Sequence, residues 1–310
     1  MKNFLHIRDI SLRDLKKIIS DAKNRKSKRK KLNTLDPDKD SPLKGKILLQ
    51  MFEKSSLRTR LSFYLAIKQL GGGSLTFRPE ELHLKDGGES IADTSKILST
   101  YGNAFMLRTD SDKKLDEFKK YSNIPIINGL SPSSHPTQVL SDIFTIQEIK
   151  KKSISKLKLC WIGDANNNMM NSLIEASIKF SISLNIACPK SYQPNKKLIS
   201  LIKKQKGKIK IFNKKEIAIK NSDVVMTDKI ISLNDKVNKK KKLKSFKNFK
   251  VDTKTMNLAK KDAIFLHCLP RGNEVTEEVF LGKQSKVWQQ ALNRVYVQKS
   301  ILLYCFGKLR

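Results

Sequence analysis

The residues from Phe52 to Arg60, Phe-Glu-Lys-Ser-Ser-Leu-Arg-Thr-Arg, put two guanidiniums and three hydroxyls into nine positions. Such groups suit a phosphate. Arginine presents a planar fork that matches phosphate oxygens. Free backbone N–H groups at a helix start, with the helix dipole, favour an anion. The flanking residues predict such a start. Ile47 to Phe52 is a mostly apolar run that reads as a buried strand. Phe63, Ile67 and Leu70 then recur at i, i+4 and i+7, as on one helix face, before Gly71-Gly72-Gly73 ends it. A capped helix with solvated arginines would carry the same residues, so this stretch alone leaves both readings open.

Five further stretches carry chemistry: Arg108 within Met-Leu-Arg-Thr, His135-Pro136-Thr137-Gln138, Gly163-Asp164-Ala165-Asn166-Asn167, Met226-Thr227-Asp228 and His267-Cys268-Leu269-Pro270-Arg271. An amide such as Asn167 suits a carboxylate, and a carboxylate such as Asp228 suits an ammonium. The Gly163 turn follows a predicted strand but lacks the later glycines of a dinucleotide fingerprint, which argues against a nicotinamide site. Cys268 reads as a small buried thiol or, if arginines lie near it in the fold, as a proton acceptor with a depressed pKa. In this order and spacing the six stretches resemble the aspartate/ornithine carbamoyltransferase family, and His-Cys-Leu-Pro resembles its ornithine branch. The resemblance runs from about Phe4 to the last helix.

The resemblance implies two doubly wound parallel-sheet domains (α/β) joined by long helices, with the C-terminal helix packing back on the first. Residues 1–146, with the helix at about 285–310, would bind carbamoyl phosphate, and residues 147–284 would bind ornithine. The implied reaction moves the carbamoyl group of carbamoyl phosphate to the δ-amine of L-ornithine, giving L-citrulline and phosphate, a step of arginine biosynthesis. By resemblance Ser56, Leu57 (through its backbone), Arg58, Thr59 and Arg108 hold the phosphate, and His83 is a further donor contact. Arg108, His135 and Gln138 grip the carbamoyl group, and Cys268, Leu269 and Arg294 complete that pocket. Arg108, His135 and Cys268 would be the catalytic set. Arg60 would hold the loop through an ion pair with Glu53. Asn167, Asp228, Ser232 and Leu233 would bind ornithine. No redox cofactor or metal is required. The expected assembly is a homotrimer or a multiple of one, with active sites at subunit boundaries.

Departures from the family fall on the amine side. Ile230, Leu233 and Asn234 stand where it has Trp, Met and Gly. Ala165 replaces a glycine, so a left-handed backbone there would be strained. The loop from Leu82 to Glu89 is one residue longer. Putrescine or an N-acylated ornithine are therefore alternative acceptors. Asp228 separates them, because its carboxylate has a clear task only beside a free α-amino group.

The elements that must position these residues alternate. Strands are predicted at 47–52, 74–78, 104–108, 124–128, 157–162, 183–188, 223–227 and 263–267, separated by helical patterns, which argues for parallel sheets covered by helices. Helices are predicted from Ser11 to Arg29 with Ser11 as cap, at 89–101, from Ser134 to about Lys152, and from about Ser285 to Tyr304. The chain of 310 residues has room for two domains. It has no apolar run of membrane-spanning length and no apolar signal core at Met1 to Phe4. Cys160, Cys188, Cys268 and Cys305 show no metal or disulfide spacing, which suits a reducing cytoplasm. The net charge of +34 is carried far more by lysine than arginine. Lysine bias fits solvated faces better than base readout, where arginine is favoured. A basic nucleic-acid-binding protein on the same scaffold remains the competing class. The lysine-rich segment from Lys236 to Lys250 reads as a lid with a following surface helix, or as a nucleic-acid patch.

Overall fold

The computed structural model describes residues 2–82, 88–204, 208–231 and 238–309. The chain divides into two compact units, Met1–Phe144 with Leu292–Arg310, and Thr145–Ala291.

In the first unit, α1 (Leu12–Lys28) starts where the Ser11 hydroxyl accepts from Asp14 N at 3.0 Å, the expected cap. Then β1 (Ile47–Phe52), α2 (Leu57–Gln69), β2 (Gly73–Phe77), α3 (Ile91–Tyr101), β3 (Ala104–Arg108), α4 (Asp112–Tyr121) and β4 (Ile126–Leu130) alternate. The strands are all parallel in the order β2-β1-β3-β4. Helical crossovers are what parallel neighbours require. Side chains two apart share a face, so Leu49, Met51, Phe105, Leu107 and Ile126 line one side of the sheet against Leu115 and Phe118. The Phe105 and Phe118 rings meet edge to face at 5.1 Å. Strand β4 begins two residues later than its apolar pattern predicts, directly after Pro125, which has no N–H to give a ladder.

Helix α5 (Pro136–Lys150) carries the chain into the second unit. There β5 (Lys158–Ile162), α6 (Asn168–Phe180), β6 (Ser183–Ala187), α7 (Lys196–Lys204), β7 (Ile209–Phe212), α8 (Lys215–Ala218), β8 (Val224–Thr227), α9 (Lys239–Ser245), α10 (Thr253–Met256), β9 (Ile264–His267) and α11 (Glu277–Leu281) follow. Its parallel sheet has the order β7-β6-β5-β8-β9. The same period of two places Cys160, Ile162, Val225 and Phe265 in one core with Phe246 and Phe280. Edge strand β7 was not expected. Its Ile-Lys-Ile-Phe sequence alternates over too few residues to stand out within a lysine-rich region.

Helix α12 (Val287–Cys305) brings residues 292–305 back into the first unit. Lys2 N donates to Cys305 O at 3.2 Å, and Phe4 meets Tyr304 edge to face at 6.4 Å. A buried polar cluster ties α1, α2 and α12 together. Lys299 Nζ lies 2.7 Å from Asp38 Oδ1 and donates to Gln69 Oε1 at 3.2 Å. Arg29 and Arg25 reach the same carboxylate at 2.8 Å and 2.9 Å. Burial draws Lys299 down to about 8, against the pull of Asp38. Burial alone would raise Asp38, but Lys299, Arg29 and Arg25 outweigh it and hold the carboxyl below its ordinary value.

Removing the shared carboxylate leaves three cations with one fewer anion between them. Asp38→Ala is expected to cost about 3–5 kcal/mol in denaturant unfolding, the scale for breaking a buried pair. A loss below about 1 kcal/mol, as for an exposed pair, would show that the cluster does not hold these helices together.

Candidate active site

In doubly wound sheets, ligands bind beyond the carboxyl ends of strands on either side of the point where strand order reverses. In the first unit that point lies between β1 and β3. The Glu53–Arg60 stretch leaves β1 there, and Arg108 ends β3. Ser56 stands at the N-cap of α2 with extended backbone, and its hydroxyl makes no capping hydrogen bond. Leu57 opens the helix with its side chain 70 % exposed, so the groups it turns toward the helix start are those of its backbone. Thr59 is buried, and its hydroxyl accepts from Arg294 Nη2 at 2.8 Å. Arg294 also donates through Nη1 to Gln138 Oε1. The Gln138 amide nitrogen donates to Asp142 Oδ1 at 2.8 Å, which turns its oxygen toward the guanidinium.

His135 precedes α5 and is buried. Burial first, then the positive charges of Arg294, Arg108 and Arg58, push its imidazole well below the ordinary value of 6.5. Thus Arg58 from α2, Arg108 from β3, Arg294 from α12 and a neutral His135 converge in one unit, with Thr59 and Gln138 beside them.

The expected Glu53–Arg60 pair does not form. Glu53 Oε2 instead accepts from Thr109 Oγ1 at 2.6 Å and Asp110 N at 3.0 Å, and Oε1 pairs with Lys114, while Arg60 is exposed. Burial alone would raise Glu53, but these partners hold its carboxyl below the usual value. The physical reason is reach. Glu53 N donates to Arg108 O at 3.0 Å, which fixes the residue against the segment leaving β3, whereas Arg60 lies one turn inside α2. Glu53 therefore joins the two segments that carry Arg58 and Arg108.

In the second unit the strand order reverses between β5 and β8. Asn167 follows β5, Asp228 follows β8, and Cys268 follows β9. Asn167 caps α6. Its Oδ1 accepts from Met170 N at 2.8 Å and its Nδ2 donates to Asp164 O at 3.0 Å. The left-handed position in this turn is Gly163, at φ 141°, and a Cβ there would lie 3.2 Å from Thr227 Oγ1. Ala165 is not at positive φ, so the strain expected of it does not arise. Cys268 Sγ donates to Asp228 Oδ1 at 3.0 Å, and Lys229 N donates to the same oxygen at 2.7 Å. Within the second unit this thiol therefore faces the Asp228 carboxylate. Leu269 sits at φ 63°, and its N–H donates to His267 Nδ1 at 2.8 Å. With Nδ1 accepting, Nε2 carries the proton toward Glu274 Oε1 at 2.9 Å. His267 and Glu274 thereby hold the turn that presents Cys268.

His83, Ser232, Leu233 and Asn234 lie outside the described residues. Sequence reasoning missed Asp142, Glu274 and Lys242. The first is readable at i+4 from Gln138 on a helix. The last is hidden in a lysine run: it is buried and lies 2.6 Å from Asp164 Oδ2, so the surface helix expected after the lid is docked through this residue.

Two doubly wound units, with cations gathered at the switch point of one and an amide, a carboxylate and a thiol following the strands of the other, define a two-domain α/β protein with a candidate site in each unit. A family model for the "Aspartate/ornithine carbamoyltransferase, carbamoyl-P binding domain" matches residues 2–148, and one for the "Asp/Orn binding domain" matches residues 155–305. Ornithine carbamoyltransferase from Rhizorhabdus wittichii is 37 % identical over 99 % of both chains. That of Caldicellulosiruptor saccharolyticus is 44 % identical over 86 % of this chain and 88 % of its own. The solved ornithine carbamoyltransferase of Pyrococcus furiosus superimposes with TM-score 0.89 at 36 % identity, over 97 % of this chain and 96 % of that one. The chain belongs to the aspartate/ornithine carbamoyltransferase family.

A histidine crowded by three arginines resists protonation. Its folded pKa lies below the unfolded one, so the stability this difference represents is present above about pH 6.5 and is lost as pH falls toward the depressed value. NMR titration of His135, assigned by comparison with His135→Asn, is expected to show a neutral imidazole throughout pH 8 to 6. A midpoint near the ordinary value would contradict the convergence of Arg58, Arg108 and Arg294 on this ring.

Proposed function

We propose that the chain transfers the carbamoyl group of carbamoyl phosphate to the δ-amine of L-ornithine, releasing L-citrulline and phosphate, in arginine biosynthesis. The observation that carries this reading is the buried assembly of Arg294, Thr59 and Gln138, with Arg58 and Arg108 acting on the same histidine. A phosphate that leaves as a dianion needs guanidiniums, hydroxyls and helix N–H groups. Arg58, Thr59, Ser56, the Leu57 backbone and Arg108 are those groups. Arg108 and the neutral His135, donating one N–H, suit the carbonyl oxygen as it gains negative charge. The Gln138 oxygen suits the carbamoyl N–H₂. Arg294 holds Gln138 and Thr59 in place, and we assign it to the same donor pocket.

On the acceptor side, Asp228 suits the α-ammonium of ornithine and Asn167 its α-carboxylate. The δ-amine must arrive unprotonated. Its nitrogen forms the new C–N bond, the C–O bond to phosphate breaks, and the surplus amine proton leaves with the phosphate. Cys268, hydrogen-bonded to Asp228, and the Leu269 backbone are assigned to the end of the site where amine and carbamoyl group react. His83, Ser232 and Leu233 keep their assigned contacts by family position alone. The domain roles follow: residues 1–146 with about 285–310 for the donor, and 147–284 for ornithine. The free thiols of Cys160, Cys188, Cys268 and Cys305 favour a cytoplasmic setting.

The proposed assembly is a homotrimer or a multiple of one. In support, Leu57, Leu61 and Tyr64 form an exposed apolar stripe at i, i+4 and i+7 on α2, and Ile97 and Tyr101 a second on α3.

Two measurements test this reading. Purified protein with carbamoyl phosphate is expected to convert ornithine to citrulline, and not putrescine, N-acetylornithine or aspartate. Arg58→Ala should lower kcat/KM by at least about 10²-fold, as loss of a charge-stabilising donor does. Product only from another amine would overturn the acceptor, and no product from any amine would overturn the activity. Light scattering is expected to give a trimer or its multiple, and Leu61→Asp is expected to give monomers. An unchanged mass in that variant would remove α2 from the interface.

A further inference from the structure

One lysine of the basic run does not face water. Lys239 to Lys241 at the start of α9 are exposed, whereas Lys242 is 4 % exposed and pairs with Asp164, whose side chain is equally enclosed. A lysine is almost never fully buried unless paired. Its partner is the residue on which the Asn167 turn is built. Asp164 Oδ1 accepts from Asn166 N at 2.8 Å. Asp164 O accepts from Trp161 Nε1 at 3.1 Å and from Asn167 Nδ2 at 3.0 Å. Asn167 Oδ1 then caps α6.

The same helix reaches the turn by a second path. Lys242 Nζ lies 5.4 Å from the centre of the Tyr192 ring, and that ring packs at 4.8 Å on Phe246, just past the end of α9. The Tyr192 carbonyl accepts from Ala165 N at 3.0 Å. An ion pair and an aromatic pair therefore join α9 to residues 164–167, one through a side chain and one through the backbone.

We infer that Lys242 is a positioning residue for the amino-acid substrate, fixing through Asp164 the orientation in which Asn167 meets that substrate's carboxylate. Without the ammonium, Asp164 is left as an enclosed charge and turns toward water. It then releases Asn166 N and moves the carbonyl that orients the Asn167 amide. Lys242 touches neither reacting group, so its loss acts on acceptor binding and leaves the donor's phosphate cradle unchanged. The inference rests on the assignment of Asn167 made above, and ornithine is the substrate measured.

The test compares Lys242→Met, Lys242→Arg and, as a control on the exposed side of the same helix, Lys241→Met. Citrulline formation by the unsubstituted protein checks the activity independently. In Lys242→Met the ornithine KM is expected to rise about 10–100-fold, the consequence of stranding one buried partner. The carbamoyl phosphate KM and kcat should stay within about 3-fold of the starting protein, below the effect of losing a direct contact. Lys242→Arg should restore most of the ornithine KM, and Lys241→Met should change nothing. Amide hydrogen exchange adds a readout that needs no turnover: residues 164–170 should exchange faster in Lys242→Met, while Arg58 to Ser62 should not. An unchanged ornithine KM, equal rises for both substrates, or unchanged exchange at 164–170 would each overturn the inference. If the unsubstituted protein makes no citrulline, the activity reading fails, and the exchange comparison still decides whether Lys242 holds the turn.

Discussion

Positive charge gathered in a confined space is the constraint on which the first unit depends. Arg58, Arg108 and Arg294 all act on the buried imidazole of His135. Like charges so placed repel, and a low-dielectric setting strengthens the repulsion. The fold must hold them from three separate elements. Arg294 is tethered to Thr59 and Gln138, Gln138 to Asp142, and the segments after β1 and β3 to each other through Glu53. The arrangement is ready for an anion before one arrives. Preorganisation of this kind lets a site stabilise developing charge without moving its own dipoles.

The second unit solves a different problem. Its functional groups are few and mostly neutral, and each leaves a strand end on an irregular turn. Such turns have little regular hydrogen bonding of their own, so side chains supply it. Asp164 organises the turn after β5, and the His267–Glu274 pair organises the one after β9. In both cases a buried carboxylate is matched by a cation or a proton donor.

Legibility in the sequence follows the range over which each feature is determined. The Ser56 to Arg60 stretch was readable because strand, turn and helix start are adjacent. The alternation of apolar runs with helical patterns located eight strands, since a strand of a parallel sheet buried on both faces reads as a near-continuous apolar run. Arg294 could be placed only through the family resemblance, because its partner Gln138 lies 156 positions earlier. Glu53 was given the wrong partner for the same reason: Arg60 is near in sequence, but Lys114 is near in space. Lys242 was invisible, because the register that buries one lysine among four is set by the packing of Phe246 and Tyr192 and not by the run itself. The Asp228 carboxylate beside Cys268 was not readable, because it follows another strand, 40 positions earlier.

Arg294 and Lys299 belong to the last helix, yet both are built into the first unit. This has a consequence for synthesis on the ribosome. Residues 145–291 are contiguous and can close upon themselves as they emerge. The N-terminal portion cannot, because Thr59, Gln138 and Asp38 wait for partners that are translated last. Against the usual vectorial order, N-terminal domain first, the middle unit can therefore complete its contacts before the first one does, and the tethers of Arg294 to Thr59 and Gln138 form only once α12 has been made.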